Sequence, residues 1–560
     1  MRALLATALC ALFVAGCLSG PGGAGGSHGK GKAAPLQFRD DWAEHALPYS
    51  DHDHHDPLQH QGLSTPNFQE LGWDPLISQY YGRSAGGYLC GDALDTGERR
   101  LAAVHGYQTD VAFELVDVTI ATAPKLLGEF VLPRSASRDV AITPDGNHVA
   151  IAVSTPDAGP SPAVAAAVPT SSPDVAGSDG KTDAQRLAEL GVPDDGHAYY
   201  RSLCDGVLHQ VPWANGAACT ANPPAEDQAP FPPGVMLVSI VDPANICIEG
   251  YYPLPVLGAH SIYAGDLNGQ TIIIASVVNL AASVSNFWFF TVGEGPEPLE
   301  LLSLFQDRAD GGGLALVNGH NDGVVQVHPV THQPLAYLAN WHQGMVILDM
   351  SNPRLPTVIG RWSDNSGTSD PSQLLVQDGS GDVHEAIPID TTWGGRHYTL
   401  IGQEILDHPT HTPSGLVHIV DTTDPTHPTE VATWTLPTDV VWDEPGVFST
   451  HYVSSYGSTM FVAHYHAGVW AVDLSGLLDG KVDEADKHPP AVGVYVPANV
   501  SPKPPPKGPD DWTPTIMDVN PLRNGDLVVW DNKSGIYTVR FDATQPAPPR
   551  VFAGYALGGP

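Results

Sequence analysis

The sequence has few basic residues. Lys and Arg together number 25, against 62 Asp and Glu, and the formal net charge is −37. A chain with so little positive charge has no basic surface to neutralise phosphates, which excludes nucleic acid as a partner. Charged residues of both signs make up only 16% of the chain, and hydrophobic residues make up 42%, which is ample for a globular core. The excess of acid is most simply a solvated acidic surface.

Several catalytic motifs are also missing. The chain has no complete phosphate-binding P-loop, and the glycines between Gly20 and Gly26 belong to a flexible segment. The pair His384-Glu385 is not followed by the second histidine of an H-E-x-x-H zinc helix. No Asp-rich EF-hand loop is present, which leaves calcium binding only to irregular loops.

The N-terminus has the pattern of an export signal. Arg2 precedes an apolar segment, Leu4 to Val14, that is too short to span a membrane as a mature helix. The next residues, Val14-Ala15-Gly16-Cys17, resemble the bacterial lipobox, and an ordinary cleaved signal peptide is the alternative. The resemblance implies cleavage before Cys17 and acylation of its sulfur, which anchors the chain to a membrane. Because Leu18 is not the Asp of inner-membrane retention, we expect an outer-membrane or cell-surface location, with the periplasmic face as the other option.

Four further cysteines, Cys90, Cys204, Cys219 and Cys247, remain in the exported chain. An even number of cysteines in an oxidising compartment predicts two disulfides, with three ways to pair them. Cys204–Cys219 is the preferred pair because both residues lie in one loop-like insertion. Cys90–Cys247 then follows by elimination.

One unit of sequence recurs along the chain: a buried strand ending in Asp, a turn with Pro, and an outer strand. It is clearest at Pro334–Trp362, and it returns in Phe113–Phe130, Val235–Gly250 and Gly415–Trp434. Gly468–Ser475 and Gly535–Asp542 are degenerate copies. The period of about 50 to 60 residues suits the blades of a β-propeller.

We therefore predict an all-β, seven-bladed propeller, with a pair of β-sandwiches as the alternative. Residues 1–16 are assigned to the signal peptide, 17–32 to a Gly-rich tether, 33–87 to an extended N-terminal arm and 88–560 to the propeller. Residues 154–233, rich in Ala, Pro, Ser and Asp, are predicted to be an insertion in the second blade. The arm contains the cluster His52, His54, His55 and His60, which we interpret as a solvated segment, with loose metal binding or folding over the channel mouth as the alternatives.

The units VDVTIATAPKLLG, VILDMSNPRLPTVIG and VHIVDTTDPTHPTEVA resemble the LVIVD repeats of exported bacterial and archaeal propeller proteins. The resemblance extends from about Tyr88 to the end and implies the fold rather than an activity. The stretch YLANWHQGMVILDMSNPRLPTVIG is also distantly similar to a blade of the selenium-binding protein, or methanethiol oxidase, family. His54-His55 and His60-Gln61-Gly62 loosely match the histidine pair of that family. Its N-terminal cysteine motif is missing here, so its oxidase activity is not inferred.

Histidine opens four of the predicted blades, at His260, His320, His384 and His451. Arg138 and Met517 hold the same place in the second and seventh blades. The innermost strand of a blade lines the central channel, so closing the ring brings these positions toward one mouth. Converging imidazoles predict a site for copper, zinc or iron, and a wet polar channel without metal is the alternative.

Two functional hypotheses follow from this pattern. The first is a cell-surface binding or scaffold protein, monomeric, that holds an unknown protein or small-molecule partner. The second is a metal-dependent oxidoreductase in which the four histidines hold the metal, while Glu385 or His466 handles protons. His342 and His464 are expected near the same mouth, either beside the metal ligands or in exposed turns.

Overall fold

The computed structural model describes part of the chain in detail. The described residues are 64–79, 81, 83–84, 88–106, 110–132, 136–154, 164–166, 199–202, 208–210, 233–254, 258–277, 285–293, 298–307, 323–340, 344–363, 383–404, 415–436, 449–465, 467–483, 486–497, 515–532 and 534–545. The predicted signal peptide and tether, with Cys17, lie outside them, as do Cys204, Cys219, His320, His342 and His466. No helix within these ranges is long and apolar enough to cross a membrane.

The strands of the first half of the chain form three blades. An N-terminal strand β1 (Phe68–Asp74) and a short pair β2 (Ile77–Ser78) and β3 (Arg83–Ser84) come first. Blade 1 is β4 (Tyr88–Asp95), β5 (Arg100–Gly106), β6 (Val111–Asp117) and β7 (Lys125–Val131). Blade 2 begins with β8 (Ala136–Ile142) and β9 (His148–Ser154). The insertion contributes β10 (Val164–Ala166), β11 (Tyr199–Ser202) and β12 (Leu208–Gln210), and blade 2 continues with β13 (Gly234–Ser239) and β14 (Cys247–Pro253). Blade 3 is β15 (Ala259–Leu267), β16 (Gln270–Val277), β17 (Ser285–Val292) and β18 (Leu299–Asp307).

The second half of the chain forms the other four blades. Blade 4 is β19 (Gly323–Val327), β20 (Pro334–Ala339), β21 (Met345–Asp349) and β22 (Thr357–Trp362). Blade 5 is β23 (Val383–Pro388), β24 (Tyr398–Gln403), β25 (Val417–Asp421) and β26 (Thr429–Trp434). Blade 6 is β27 (Val453–Tyr456), β28 (Thr459–Ala463), β29 (Val469–Asp473) and β30 (Ala491–Tyr495), with a one-turn 3₁₀ helix, Ser475–Leu477, after β29. The strands β31 (Ile516–Pro521), β32 (Asp526–Asp531) and β33 (Gly535–Phe541) complete the chain.

Strand pairing closes the ring and confirms the predicted seven-bladed propeller. Each blade is a four-stranded antiparallel sheet, and each first strand packs on the first strand of the next blade, from β4 round to β31 and back to β4. The fourth strand of blade 7 is β1, which pairs antiparallel with β33, from Phe68 opposite Phe541 to Asp74 opposite Ile536. Residues 68–74 therefore belong to the propeller, although the sequence analysis placed them in an arm. Pairing with β1 covers the edge that β33 would otherwise expose.

The core lies between the blades. Each group of buried apolar side chains in the described part of the chain combines strands of two neighbouring sheets. In one of them Trp434 of blade 5 packs against Trp470 of blade 6, with ring centroids 6.3 Å apart. Because both faces of each sheet are covered, the second and third strands are buried along nearly their whole length, as in β5, β6, β20 and β21, rather than at alternate residues.

Two residues, an Asp and a Gly, explain why the sequence unit repeats. The Asp that ends the third strand accepts a hydrogen bond from the backbone N–H two residues later, as Asp349 does from Ser351 at 2.8 Å and Asp421 from Thr423 at 2.9 Å. A glycine on the fourth strand then meets the corresponding turn of the next blade. A Cβ on Gly360 would overlap the carbonyl oxygen of Pro425. The repeat is thus a unit of packing between blades.

Candidate metal centre

The inner strands carry β-bulges at equivalent places. The pairing register slips by one residue at Arg138 in β8, at His260 in β15, at His384 in β23 and at Met517 in β31. A bulge leaves one residue without a cross-strand partner and turns its side chain in a new direction. The predicted equivalence of these positions is therefore seen in the backbone. In β4 the corresponding slip falls between Tyr88 and Gly91 and includes Cys90.

Three buried side chains from blades 5 and 6 converge at one point. They are His384, Glu404, which directly follows β24, and His451, which precedes β27, and one ligand atom of each lies within 4.8 Å of the others. His384 Nε2 is 3.6 Å from Glu404 Oε2, and His451 Nε2 is 3.9 Å from Glu404 Oε1. The two imidazole centroids are 4.7 Å apart. All three residues are at most 6% exposed, so the cluster is shielded from bulk water.

His451 is held in the tautomer that a metal ligand needs. Its Nδ1 lies 2.6 Å from the carbonyl oxygen of Met517, and since a carbonyl can only accept, Nδ1 carries the proton and donates it. The lone pair therefore sits on Nε2, the nitrogen that faces Glu404. Burial lowers the pKa of His451 to about 4, although the Met517 carbonyl favours the charged form, so the ring is neutral at pH 7. An Nδ1–H bonded to a backbone carbonyl is a common way to orient a metal-binding histidine.

Two tyrosines fix the other side of the cluster. The hydroxyl of Tyr465 donates to Glu404 Oε1, and its ring lies 4.9 Å from that of His451. Its backbone is held at φ +42°, a conformation that bulky residues rarely adopt and that is often found at functional sites. The ring of Tyr452 packs edge-on against both imidazoles, 4.8 Å from His451 and 5.2 Å from His384.

The separations within the cluster fit a coordinated ion better than a hydrogen-bonded network. Distances of 3.6 and 3.9 Å are too long for hydrogen bonds between imidazole and carboxylate. Ligands bound at about 2.0–2.2 Å to a tetrahedral metal lie about 3.3–3.6 Å apart. The two histidine–carboxylate separations lie within a few tenths of an ångström of that range. Two imidazoles and one carboxylate form a ligand set used for zinc and for non-haem iron, with positions left open for a small molecule.

The predicted ring of four histidines is only partly reproduced. His384 and His451 meet, whereas His260 joins no group of potential metal ligands in the described part of the chain. Glu385 is fully buried on β23, but Glu404 is the carboxylate that lies with the histidines. His464 is fully buried against Trp434, their ring centroids 6.4 Å apart, so it is not an exposed turn residue.

The predicted Cys90–Cys247 disulfide is wrong, because Cys90 is not disulfide-bonded. Cys90 lies in the bulged part of β4, the first strand of blade 1, whereas Cys247 begins β14, the fourth strand of the blade 2 sheet. Pairing by elimination could not take account of the separation between the first strand of one blade and the fourth strand of the next. The Cys204–Cys219 pair lies outside the described residues and stays a prediction.

Comparison with known proteins finds a match to one repeat family and distant similarities to solved structures, and it gives no activity. The LVIVD repeat family model matches residues 335–364, within blade 4, and no curated protein matches the chain. Among solved structures, the chain is similar to the WD40 beta propeller domain of Doa1, at 8% identity and a TM-score of 0.37, over 85% of this chain and 97% of that one. It is also similar to the beta-propeller domain of Cps50 (Swd1) from Myceliophteria thermophila, at 10% identity and a TM-score of 0.37, over 82% of this chain and 98% of that one. Both similarities are distant, and the blade assignment rests on the strand pairing. The likeness to selenium-binding protein gains no support from these comparisons.

Proposed function

We propose that this propeller is an exported, lipid-anchored binding protein that holds a transition metal ion at the mouth of its channel. The ligands are His384, Glu404 and His451. The observation that supports the proposal is the convergence of two buried imidazoles and one carboxylate, with His451 oriented by the Met517 carbonyl. A copper, zinc or iron ion bound here would act as a Lewis acid with open positions for a small-molecule ligand.

The residues around the three ligands have supporting roles. Tyr465 holds the Glu404 carboxylate by its hydroxyl, which keeps the carboxylate beside the two histidines. Tyr452 limits the movement of both imidazole rings. The burial of the cluster excludes bulk water, which strengthens the interaction of the ligands with a cation.

Metal titration of the full-length protein with a Glu404→Gln variant tests the proposal. We expect Zn²⁺ or Cu²⁺ to bind the wild type with one equivalent at this site and the variant at least about tenfold more weakly, since a neutral amide replaces the anionic ligand. The matched control is Glu430→Gln, which disrupts another histidine–glutamate contact, 2.7 Å between His418 Nδ1 and Glu430 Oε2, on outer strands of blade 5. Equal loss of affinity in both variants, or no loss in Glu404→Gln, contradicts the proposal.

A second candidate function is metal-dependent oxidation. It is favoured by the aromatic rings of Tyr452 and Tyr465, which both pack on His451 and offer a route for electrons beside the site. Oxidation of an organic donor by two electrons and two protons would be balanced by reduction of dioxygen to hydrogen peroxide. The copper- or iron-loaded protein should then consume oxygen with some member of a panel of alcohols, phenols and thiols. Activity that is unchanged in His384→Ala excludes this site as its source.

A further inference from the structure

A second group of potential ligands lies in blades 1 and 2. It consists of Cys90 on β4, His105 on β5 and Asp139 on β8, and one sulfur, nitrogen or oxygen atom of each lies within 4.8 Å of the others. Neither His105 nor Asp139 was singled out from the sequence, and Cys90 was expected in a disulfide. The proposed function above makes no use of these three residues.

Each of the three side chains is positioned by the backbone. Cys90 lies in the bulge of β4, where the register slips between Tyr88 and Gly91. His105 Nδ1 lies 3.1 Å from the carbonyl oxygen of Cys90 and 3.2 Å from its amide nitrogen, which fixes the imidazole against the cysteine. Asp139 accepts the N–H of Val140 at Oδ1 and that of Ile262 at Oδ2, both at 2.8 Å. These bonds fix the orientation of the carboxylate.

The imidazole of His105 provides an independent sign that a ligand belongs here. The residue is fully buried, and its Nε2 has no hydrogen-bond partner in the described part of the chain. A buried polar nitrogen without a partner is destabilising, and a bound cation would remove that cost. A thiolate, a carboxylate and a neutral imidazole together carry two negative charges, which a divalent ion balances.

We infer that Cys90, His105 and Asp139 form a second metal site, distinct from the first and selective for thiophilic ions such as Zn²⁺. Sulfur makes this site softer than the two-histidine, one-carboxylate site, so the two favour different metals. The hydroxyl of Tyr452 lies 3.8 Å from Cys90 Sγ, while its ring packs on His384 and His451. The same tyrosine thus separates two neighbouring sites at one mouth of the channel.

The test is a Co²⁺ titration of the full-length protein. The signal measured is the absorption band of thiolate-to-metal charge transfer. We expect this band in the wild type and in the His384→Ala/His451→Ala double variant, which lacks only the first site. Cys90→Ser, an isosteric change at a half-buried position, should lose the band and keep the other equivalent of metal. A wild type without the band, or a Cys90→Ser variant that keeps it, overturns the inference.

Alkylation of Cys90 gives a second measurement that does not depend on absorption. Because a metal-bound thiolate is a poor nucleophile, saturating Zn²⁺ should slow iodoacetamide labelling of Cys90 by at least about tenfold, as read by mass spectrometry of its peptide. The same protection is expected in the His384→Ala/His451→Ala double variant. Loss of protection in that variant means one shared site and overturns the inference of two. Absence of protection in every variant overturns the second site and leaves the first unaffected.

Discussion

Replacing Gly250 with Ala tests the packing of one blade on the next. Gly250 lies in β14, the outermost strand of blade 2, and a Cβ on it would come within 2.6 Å of the Leu299 Cβ on blade 3 and 3.3 Å of the Leu237 Cβ. Carbon atoms in contact normally lie about 3.5–4.0 Å apart, so the two outer strands must separate by about 1 Å. Forcing an extra methyl group into a packed core costs about 1–3 kcal/mol. We expect Gly250→Ala to fall near the upper end of that range, because the obstructing atom is a Cβ that cannot swing away.

Urea unfolding followed by tryptophan fluorescence measures the effect. The matched control is Gly293→Ala, directly after β17 in blade 3, where the new Cβ would lie 3.7 Å from the Pro298 carbonyl oxygen. The control should unfold within about 0.5 kcal/mol of the wild type, as surface substitutions usually do. If Gly250→Ala is as stable as the control, the blades are not packed closely at this glycine and the explanation of the repeat is wrong.

Three further predictions concern His464, Tyr465 and Phe68. Burial lowers the pKa of His464 to about 4 from 6.5, so its contribution to stability is complete above pH 6.5 and lost as pH falls toward 4. His464→Phe should therefore remove about 2 kcal/mol of the stability that the wild type loses between pH 7 and pH 5 in urea unfolding, and parallel curves would contradict this. Tyr465→Phe should weaken metal binding by about 10–100-fold in titration, because Glu404 loses the hydroxyl that orients it, and unchanged affinity would exclude that role. Phe68→Ala should cost about 3–5 kcal/mol in thermal unfolding, because the ring, 4.8 Å from that of Phe541, helps to close the propeller; a loss below about 1 kcal/mol would mean that β1 is not needed.

The sequence predicted the parts of the fold that repeat and missed the parts that depend on distant pairing. The strand–Asp–turn unit recurs because each blade uses it for the same packing, so the number of blades could be read from the repeats. The segment 68–74 carries no copy of the unit. It becomes a strand because β33, more than four hundred residues later, offers its edge, and no local pattern indicates such a partner.

The residues of the candidate site were likewise predicted only where the repeat indicates them. His384 and His451 were predicted because they open their blades, and the structure brings their side chains together beside Glu404. Glu404 was missed, since it follows the second strand rather than opening the first. Asn340 directly follows β20 and His464 directly follows β28, as Glu404 follows β24, and Asn340, His464 and Glu404 are all buried. An alignment of the ends of the second strands would therefore have indicated Glu404. Asp139, next to Arg138 in the aligned position, gave no such signal.

The most direct test of the account is the metal content of the full-length protein, purified after export and measured by elemental analysis. The wild type is compared with a variant that carries His384→Ala and His451→Ala together. We expect near-stoichiometric copper, zinc or iron at this site in the wild type, and about one equivalent less in the double variant, since both imidazole ligands are gone. Equal metal content in the two proteins, after each has been offered all three metals, would contradict the central claim that His384, Glu404 and His451 bind a metal ion.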